Sequence, residues 1–223
     1  MARQERAEVT RSAIIDGAAR AFDGTGFFGT SLSDIVREAG VTKGALYFHF
    51  ASKEDLAQAV VGEQFSAWET ATGLERPGVQ TVIDLVHTLT RRLQESVRVR
   101  AGIRLVIEQS TASGAHAGPY ERWIDVIRNC LAQAQGRGDV RPEIDVADAA
   151  QVVVGCWIGL QLSSQVLTGR RDLAERTTQM WQMMLPGIVP VRRLARFHPA
   201  GTPGLHHHAP AAPLAREEVV EVG

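Results

Sequence analysis

The chain has 223 residues, 44% hydrophobic and 22% charged, with a formal net charge of −1. That length can bury a sizeable core, as one large domain or a small domain joined to a larger one, and the near-neutral balance excludes an indiscriminately basic nucleic-acid binder. No run of consecutive apolar residues approaches the roughly 18 of a membrane span, and the charged start, Met1 to Arg6, leads into no apolar stretch of the kind a secretory signal needs, so a cytoplasmic protein with no membrane partner is expected.

Apolar residues recur at spacings of three and four nearly throughout, and period-two alternation is rare, which predicts an all-α fold. The first helix is predicted over roughly residues 8–23, with Ile14, Ile15, Ala18 and Phe22 as its buried stripe and Gly24-Thr25-Gly26 ending it. In the next segment Ser31 suits the N-cap of a short helix carrying Leu32, Ile35 and Val36. Ala39-Gly40-Val41 then supplies a tight turn, and Thr42 caps a second short helix over 43–49. Two short helices joined in this way make a helix-turn-helix, whose second helix is narrow enough for a DNA major groove.

The residues on that second helix suit such a task. Gly44 and Ala45 let the backbone approach base edges or a thymine methyl, Lys43 reaches a guanine edge or a phosphate, and Tyr47 and His49 donate to phosphates. Ser31, Ser33 and Thr42 add hydroxyls to the same candidate DNA-binding surface. Lys53 lies in an S-x-x-D box from Ser52 to Asp55, where a helix N-terminus and an ammonium group would bind a phosphate together. Phe48 and Phe50 read as core residues. Glycine-turned pairs of short helices also occur as plain structure, so on these residues alone both DNA binding and a purely structural role stand open.

Farther along, Val82, Leu85, Val86, Leu89, Leu93 and Val97 form a second stripe, and Ser110 to Pro119 is predicted to break helix as a loop over a pocket. Val146 to Leu167 is apolar almost all round, so it must be enclosed on most sides by its own domain or by a second subunit. A last stripe runs from Leu173 to Ile188, with Pro186 and Pro190 closing it. From His198 onward Pro, Gly and Ala dominate and disorder is expected. The resulting division is 1–52, a helix-turn-helix domain; 53–197, a larger helical domain; and 198–223, a tail.

Cys130 and Cys156 lack metal-ligand spacing and read as buried free thiols. The His206 to His208 run has no second ligand cluster, and no metal or cofactor is expected. Neither a nucleophile elbow, an HExxH motif, a phosphate-binding glycine loop nor a distinctive carboxylate pair occurs, which speaks against an enzyme. Trp123, Trp157 and Trp181 read as core fillers.

The stretch Ala39 to Leu56, AGVTKGALYFHFASKEDL, closely resembles the signature of TetR-family regulators. Together with the opening MARQERA, Gln64, Trp123 after Pro119-Tyr120, and Gly187 to Arg193, it is similar to the γ-butyrolactone receptor group of actinomycetes. The resemblance implies an N-terminal three-helix DNA domain, a connecting fourth helix, and a ligand domain that dimerises through its last two long helices. It further implies a repressor that binds a pseudo-palindromic operator in double-stranded DNA as a homodimer. A small hydrophobic inducer of γ-butyrolactone, butenolide or furan type would release it, and secondary-metabolite genes would be its targets. By the same resemblance Trp123 lines the ligand cavity and Gln64 contacts ligand. At Leu160 this chain departs from the group, since relatives often carry a threonine after the glycine that is Gly159 here, and the hydroxyl of the usual lactone contact is lost. A pseudo-receptor that binds DNA and ignores lactones is the alternative member of the same group.

Overall fold

The computed structural model describes residues 2–72, 77–113 and 118–204, with side chains over 4–62, 77–109 and 118–204. The described chain is all-α, as the periodicity requires. Its helices are α1 (Ala2–Gly29), α2 (Leu32–Ala39), α3 (Lys43–His49), α4 (Lys53–Thr72), α5 (Val79–Glu95), α6 (Val97–Ser113), α7 (Gly118–Gly136), α8 (Val146–Thr168) and α9 (Leu173–Ile188), followed by a 3₁₀ turn at Val191–Arg196.

The N-terminal unit is built on the predicted stripe. Ile14, Ile15, Ala18 and Phe22 of α1 are buried with Ile35 of α2, Leu46 of α3 and Leu56 and Val60 of α4, each large side chain contributing about 1.5–3 kcal/mol by leaving water. A close approach tightens this cluster: a Cβ on Gly17 would stand 2.5 Å from the Ala39 backbone nitrogen, so glycine alone lets α1 and α2 cross there. Helix α1 does not end at Gly24 as expected. It continues to a bend at Gly26 (φ 74°, ψ −179°) and closes at Gly29.

Helix α6 is the central element, packed against both α1 and α4. Val97 belongs to it and not to the preceding stripe, because α5 stops at Glu95 and Ser96 is extended (φ −111°, ψ 118°). The predicted loop from Ser110 is helical as far as Ser113, residues 114–117 lie outside the described residues, and α7 begins at Gly118. Pro186 sits inside the last turn of α9 and does not end the helix, which runs to Ile188 before Pro190 stops the chain from continuing.

Helix α8 starts at the Asp145 cap, whose carboxylate accepts from the Ala147 amide at 2.7 Å. Among the described residues it is enclosed on one side only. Ala150, Val153, Val154, Trp157, Gln161 and Ser164 are buried, whereas Val152, Leu162, Val166 and Leu167 stand outside, Val166 at 83% exposure. By length and composition α8 is also apolar enough to cross a bilayer, but its inner face is committed to this core. At its C-terminal end the turn into α9 is held by Asp172, which accepts from Ser164 Oγ (2.6 Å), Thr168 Oγ1 (2.7 Å) and Arg176 Nε (2.8 Å). The Ser164 hydroxyl first, then Thr168 and Arg176, hold its carboxyl far below the usual carboxylate range.

Residues 198–204, assigned by composition to a disordered tail, lie instead along α5. The Thr202 amide and hydroxyl donate to the Asp84 carboxylate at 2.8 and 2.7 Å, the His198 amide donates to Gln80 Oε1 at 2.8 Å, and His87 Nε2 lies 2.8 Å from the Pro199 carbonyl. The segment docks through its backbone, so apolar patterning could not reveal it. Residues 205–223, with His206 to His208, lie outside the described residues. Truncation after Phe197 is therefore expected to lower stability by about 1–3 kcal/mol, the cost of leaving partly buried acceptors such as Asp84 without donors, while truncation after Gly204 leaves it unchanged. Denaturant titration of the two truncated chains checks this.

Candidate nucleic-acid interface and ligand cavity

The helix-turn-helix forms as its capping residues require. Ser31 Oγ accepts from the Asp34 amide (3.2 Å) and donates to the Asp34 carboxylate (2.6 Å), and the Ser31 amide donates back to Asp34 at 3.0 Å. The Ser31 bonds, seconded by Arg37, hold the Asp34 carboxyl below its ordinary value. Gly40 turns the chain at φ 64°, in the left-handed region that glycine occupies without strain. Thr42 Oγ1 then caps α3 by accepting from the Ala45 amide at 3.2 Å.

Leu46, fully buried, anchors α3 to the domain. The opposite side of the helix is open: Lys43, Gly44, Tyr47 and Phe48 are exposed, and Ala45 and His49 are half-buried. Nothing lies within 4 Å of a Cβ built on Gly44, so its backbone is approachable. Ser33 of α2 and Lys43 and Tyr47 of α3 share one shallow groove of about 100 Å³, and the Lys43 ammonium lies 5.9 Å from the Tyr47 ring centre. Phe50 is buried as expected. Phe48 is not a core residue; two positions from Leu46, it points away from the domain and is 78% exposed.

Lys53 also departs from its predicted role. Its Nζ donates to the Phe27 and Thr30 carbonyls (2.8 and 3.0 Å) and sits 4.2 Å above the Phe27 ring, so two of its three donors close the end of α1. The S-x-x-D cap itself is present, with the Asp55 amide donating to Ser52 Oγ at 3.0 Å.

In the larger domain, Val86 and Leu89 of α5, Trp123 and Ile127 of α7, and Val153, Val154 and Trp157 of α8 line an apolar cavity of about 10 Å³. Trp123, singled out by resemblance, is 2% exposed and part of this lining. Leu160 is half-buried against the core and is not among the residues that line the cavity, although it stands two turns along α8 from Val153 on the same flank. The Gln64 side chain lies outside the described residues. One polar chain bounds the cavity: Trp157 Nε1 donates to Thr90 Oγ1 (2.9 Å), which lies 3.1 Å from Thr177 Oγ1, which in turn donates to the Leu173 carbonyl at 2.8 Å. Threonines spaced within apolar stripes were the sequence signal for that chain. Of the cysteines, Cys130 is buried, and burial pushes its thiol up, whereas Cys156 is exposed on the outer face of α8 and corrects the buried reading. Among the described residues no group of His, Cys, Asp and Glu could hold a metal ion.

Between these two sites runs a polar clasp that sequence patterning did not identify. Arg98 donates to Asp16 (2.6 Å) and to Ser12 Oγ (2.7 Å), Arg100 to Asp23 (2.9 Å), and Arg104 to the Asp23 carbonyl and to Glu108, both at 2.6 Å. Glu108 accepts in turn from the Phe27 amide, at 2.8 Å, beside the Gly26 bend. All the basic and acidic partners on α6 thus grip α1. Each partly exposed pair contributes little by itself, but the series fixes how the smaller unit sits on α6. From the placement of the two lysines, Lys53→Met is expected to lower stability by about 1–3 kcal/mol through loss of charge-assisted hydrogen bonds, while Lys43→Ala leaves it unchanged; thermal melts separate the two.

Comparison with known proteins agrees with this geometry. Residues 14–60 match the model of bacterial regulatory proteins of the tetR family, and residues 77–190 match a tetracyclin repressor-like C-terminal domain. The A-factor receptor protein of Streptomyces griseus is 40% identical over 203 residues, covering 90% of this chain and 71% of that protein. A solved γ-butyrolactone receptor (ArpA-like protein) superposes with a TM-score of 0.70 at 34% identity, over 85% of this chain and 93% of that one. CprB of Streptomyces coelicolor, solved in complex with its biological operator sequence, gives 0.74 at 35% identity, over 86% and 94%. The chain therefore belongs to the TetR family of transcriptional regulators, close to the γ-butyrolactone receptors, whose members bind operator DNA as dimers and respond to small molecules.

Proposed function

We propose that the protein is a ligand-responsive repressor that binds a pseudo-palindromic operator as a homodimer and is released by a small amphiphilic signal of γ-butyrolactone, butenolide or furan type. The observation that carries this reading is the apolar, tryptophan-lined cavity between α5, α7 and α8, set behind the α6–α1 clasp. Apolar pockets with few polar groups suit ligands with an alkyl chain and one compact polar head. The targets are secondary-metabolite genes, by the resemblance to the receptor group.

The reading of DNA rests on α3, where Lys43, Gly44, Ala45 and Tyr47 offer an open face, with Ser33 and His49 at its margins. Dimerisation rests on the outer faces of α8 and α9. Val152, Leu162, Val166, Leu167 and Met183 are all exposed and apolar there, a larger patch than a lone soluble protein usually leaves to water. A two-fold copy covering it would present two α3 helices to successive grooves.

Release follows from volume. With about 10 Å³ enclosed, a ligand enters only by parting α5, α7 and α8. That displacement reaches α6, and the Arg98, Arg100 and Arg104 contacts carry it to α1. The spacing of the two reading helices then changes and DNA affinity falls, a coupling of about 1–3 kcal/mol between the sites.

Two outcomes test the reading. Lys43→Ala and Tyr47→Ala should each weaken operator binding at least about tenfold with fold and dimer intact, and footprinting of wild-type protein should show two inverted half-sites on one face of the duplex. An unaffected variant, or a single half-site bound by one copy, refutes α3 as the reader. Binding of the inducer should quench tryptophan fluorescence, and Trp123→Ala should raise the inducer concentration needed for operator release while sparing DNA affinity. An unchanged dose response places the pocket elsewhere.

A further inference from the structure

The cavity lining is wholly apolar, which leaves unexplained what would hold the polar head of a ligand. Gln161 is 1% exposed, and its Oε1 has no hydrogen-bond partner among the described residues. Buried acceptors without donors are costly and uncommon, and each calls for a reason. Gln161 follows Trp157 by four residues, so it lies one turn farther along the same inward stripe of α8 that supplies Val153, Val154 and Trp157 to the cavity. Its neighbours on that stripe are satisfied: Trp157 Nε1 donates to Thr90 and Ser164 Oγ to Asp172. Trp181 Nε1 is likewise unbonded, but α9 contributes nothing to the lining. Among the described residues Gln161 thus offers a buried, unspent acceptor on the helix face that lines the cavity.

We propose that Gln161 is the polar anchor of the ligand cavity, its side-chain carbonyl accepting a hydrogen bond from a hydroxyl on the head of an amphiphilic lactone whose alkyl part lies among Trp123, Ile127 and Val153. The assignment rests on the lactone-type reading above. It also bears on the loss of a hydroxyl at Leu160, since Gln161, one residue on, is 1% exposed whereas Leu160 is half-buried and outside the cavity lining. An inducer lacking a donor on its head would leave the amide as unsatisfied as it is in the free protein, so the anchor selects for hydroxylated signals.

The test uses full-length protein and two probes, a 2-octyl-γ-butyrolactone bearing a 3-hydroxymethyl group and its 3-methyl counterpart, titrated by calorimetry into wild type and Gln161→Leu. Wild type is expected to prefer the hydroxylated lactone by about ten- to a hundredfold. Gln161→Leu should lose most of that preference through weaker binding of the hydroxylated probe alone. Because leucine fills similar volume without a polar atom, the ligand-free variant should also melt a few degrees higher; Gln161→Met serves as the second variant if leucine is not tolerated. Equal preference in wild type and variant overturns the anchor and leaves the lactone reading standing. A lower melting temperature for both variants also overturns it, because the amide then has a partner in the free protein. Binding of neither probe to wild type overturns the lactone reading and the anchor with it.

Discussion

Helix α8 is apolar on two opposite sides, and that constraint organises the molecule. One side must be covered by the chain itself, and α5, α7 and α9 do so by packing around Val153, Val154 and Trp157. The other side, from Val152 to Leu167, finds no cover among the described residues, and an exposed apolar strip of that length is stable in water only when something lies on it. Ligand cavity and proposed subunit interface are therefore two faces of one helix.

The second organising feature is that α6 packs against α1 and α4 on one side and meets α5 on the other. Its N-terminal half carries Arg98, Arg100 and Arg104, which grip α1 through Ser12, Asp16 and Asp23. Polar contacts of this kind fix direction better than apolar ones, which slide at low cost. Arg170, in the turn after α8, is held in the left-handed region (φ 67°), its carbonyl taking a hydrogen bond from Gln94 at 2.6 Å. Burial lowers the pKa of its guanidinium, and the nearby Asp23 charge partly offsets this. The turn after α8 thus lies within electrostatic reach of Asp23 near the end of α1. The N-terminal unit rides on α6 as one body, joined at several points along α1.

Much of this was legible along the chain. The all-α class, the paired short helices with their Ser31 and Thr42 caps, the Gly40 turn and the stripes of α1, α5 and α9 follow from local chemistry, because capping and periodicity involve residues within a few positions of each other. The exposed face of α3 was legible for the same reason at Lys43, Gly44 and Tyr47. Phe48 was not, since an aromatic residue signals burial on average and only its angle from Leu46 shows that it points outward. Lys53 was misread because the carbonyls of Phe27 and Thr30, which claim its ammonium, come from a segment more than twenty residues earlier.

The sequence by itself determined that the chain is helical, that a helix-turn-helix stands near its start, and that Val146 to Leu167 is apolar almost all round. These are properties of single segments, set by side-chain periodicity and caps. Tertiary structure alone decided which side of α8 the described chain covers, that residues 198–204 lie against Asp84 and His87, that Arg98 to Arg104 clasp α1, and that Gln161 is buried with no donor among the described residues. Each of those depends on groups brought together from distant positions. A lone segment cannot show whether a polar atom will find a partner, because the partner is chosen by packing.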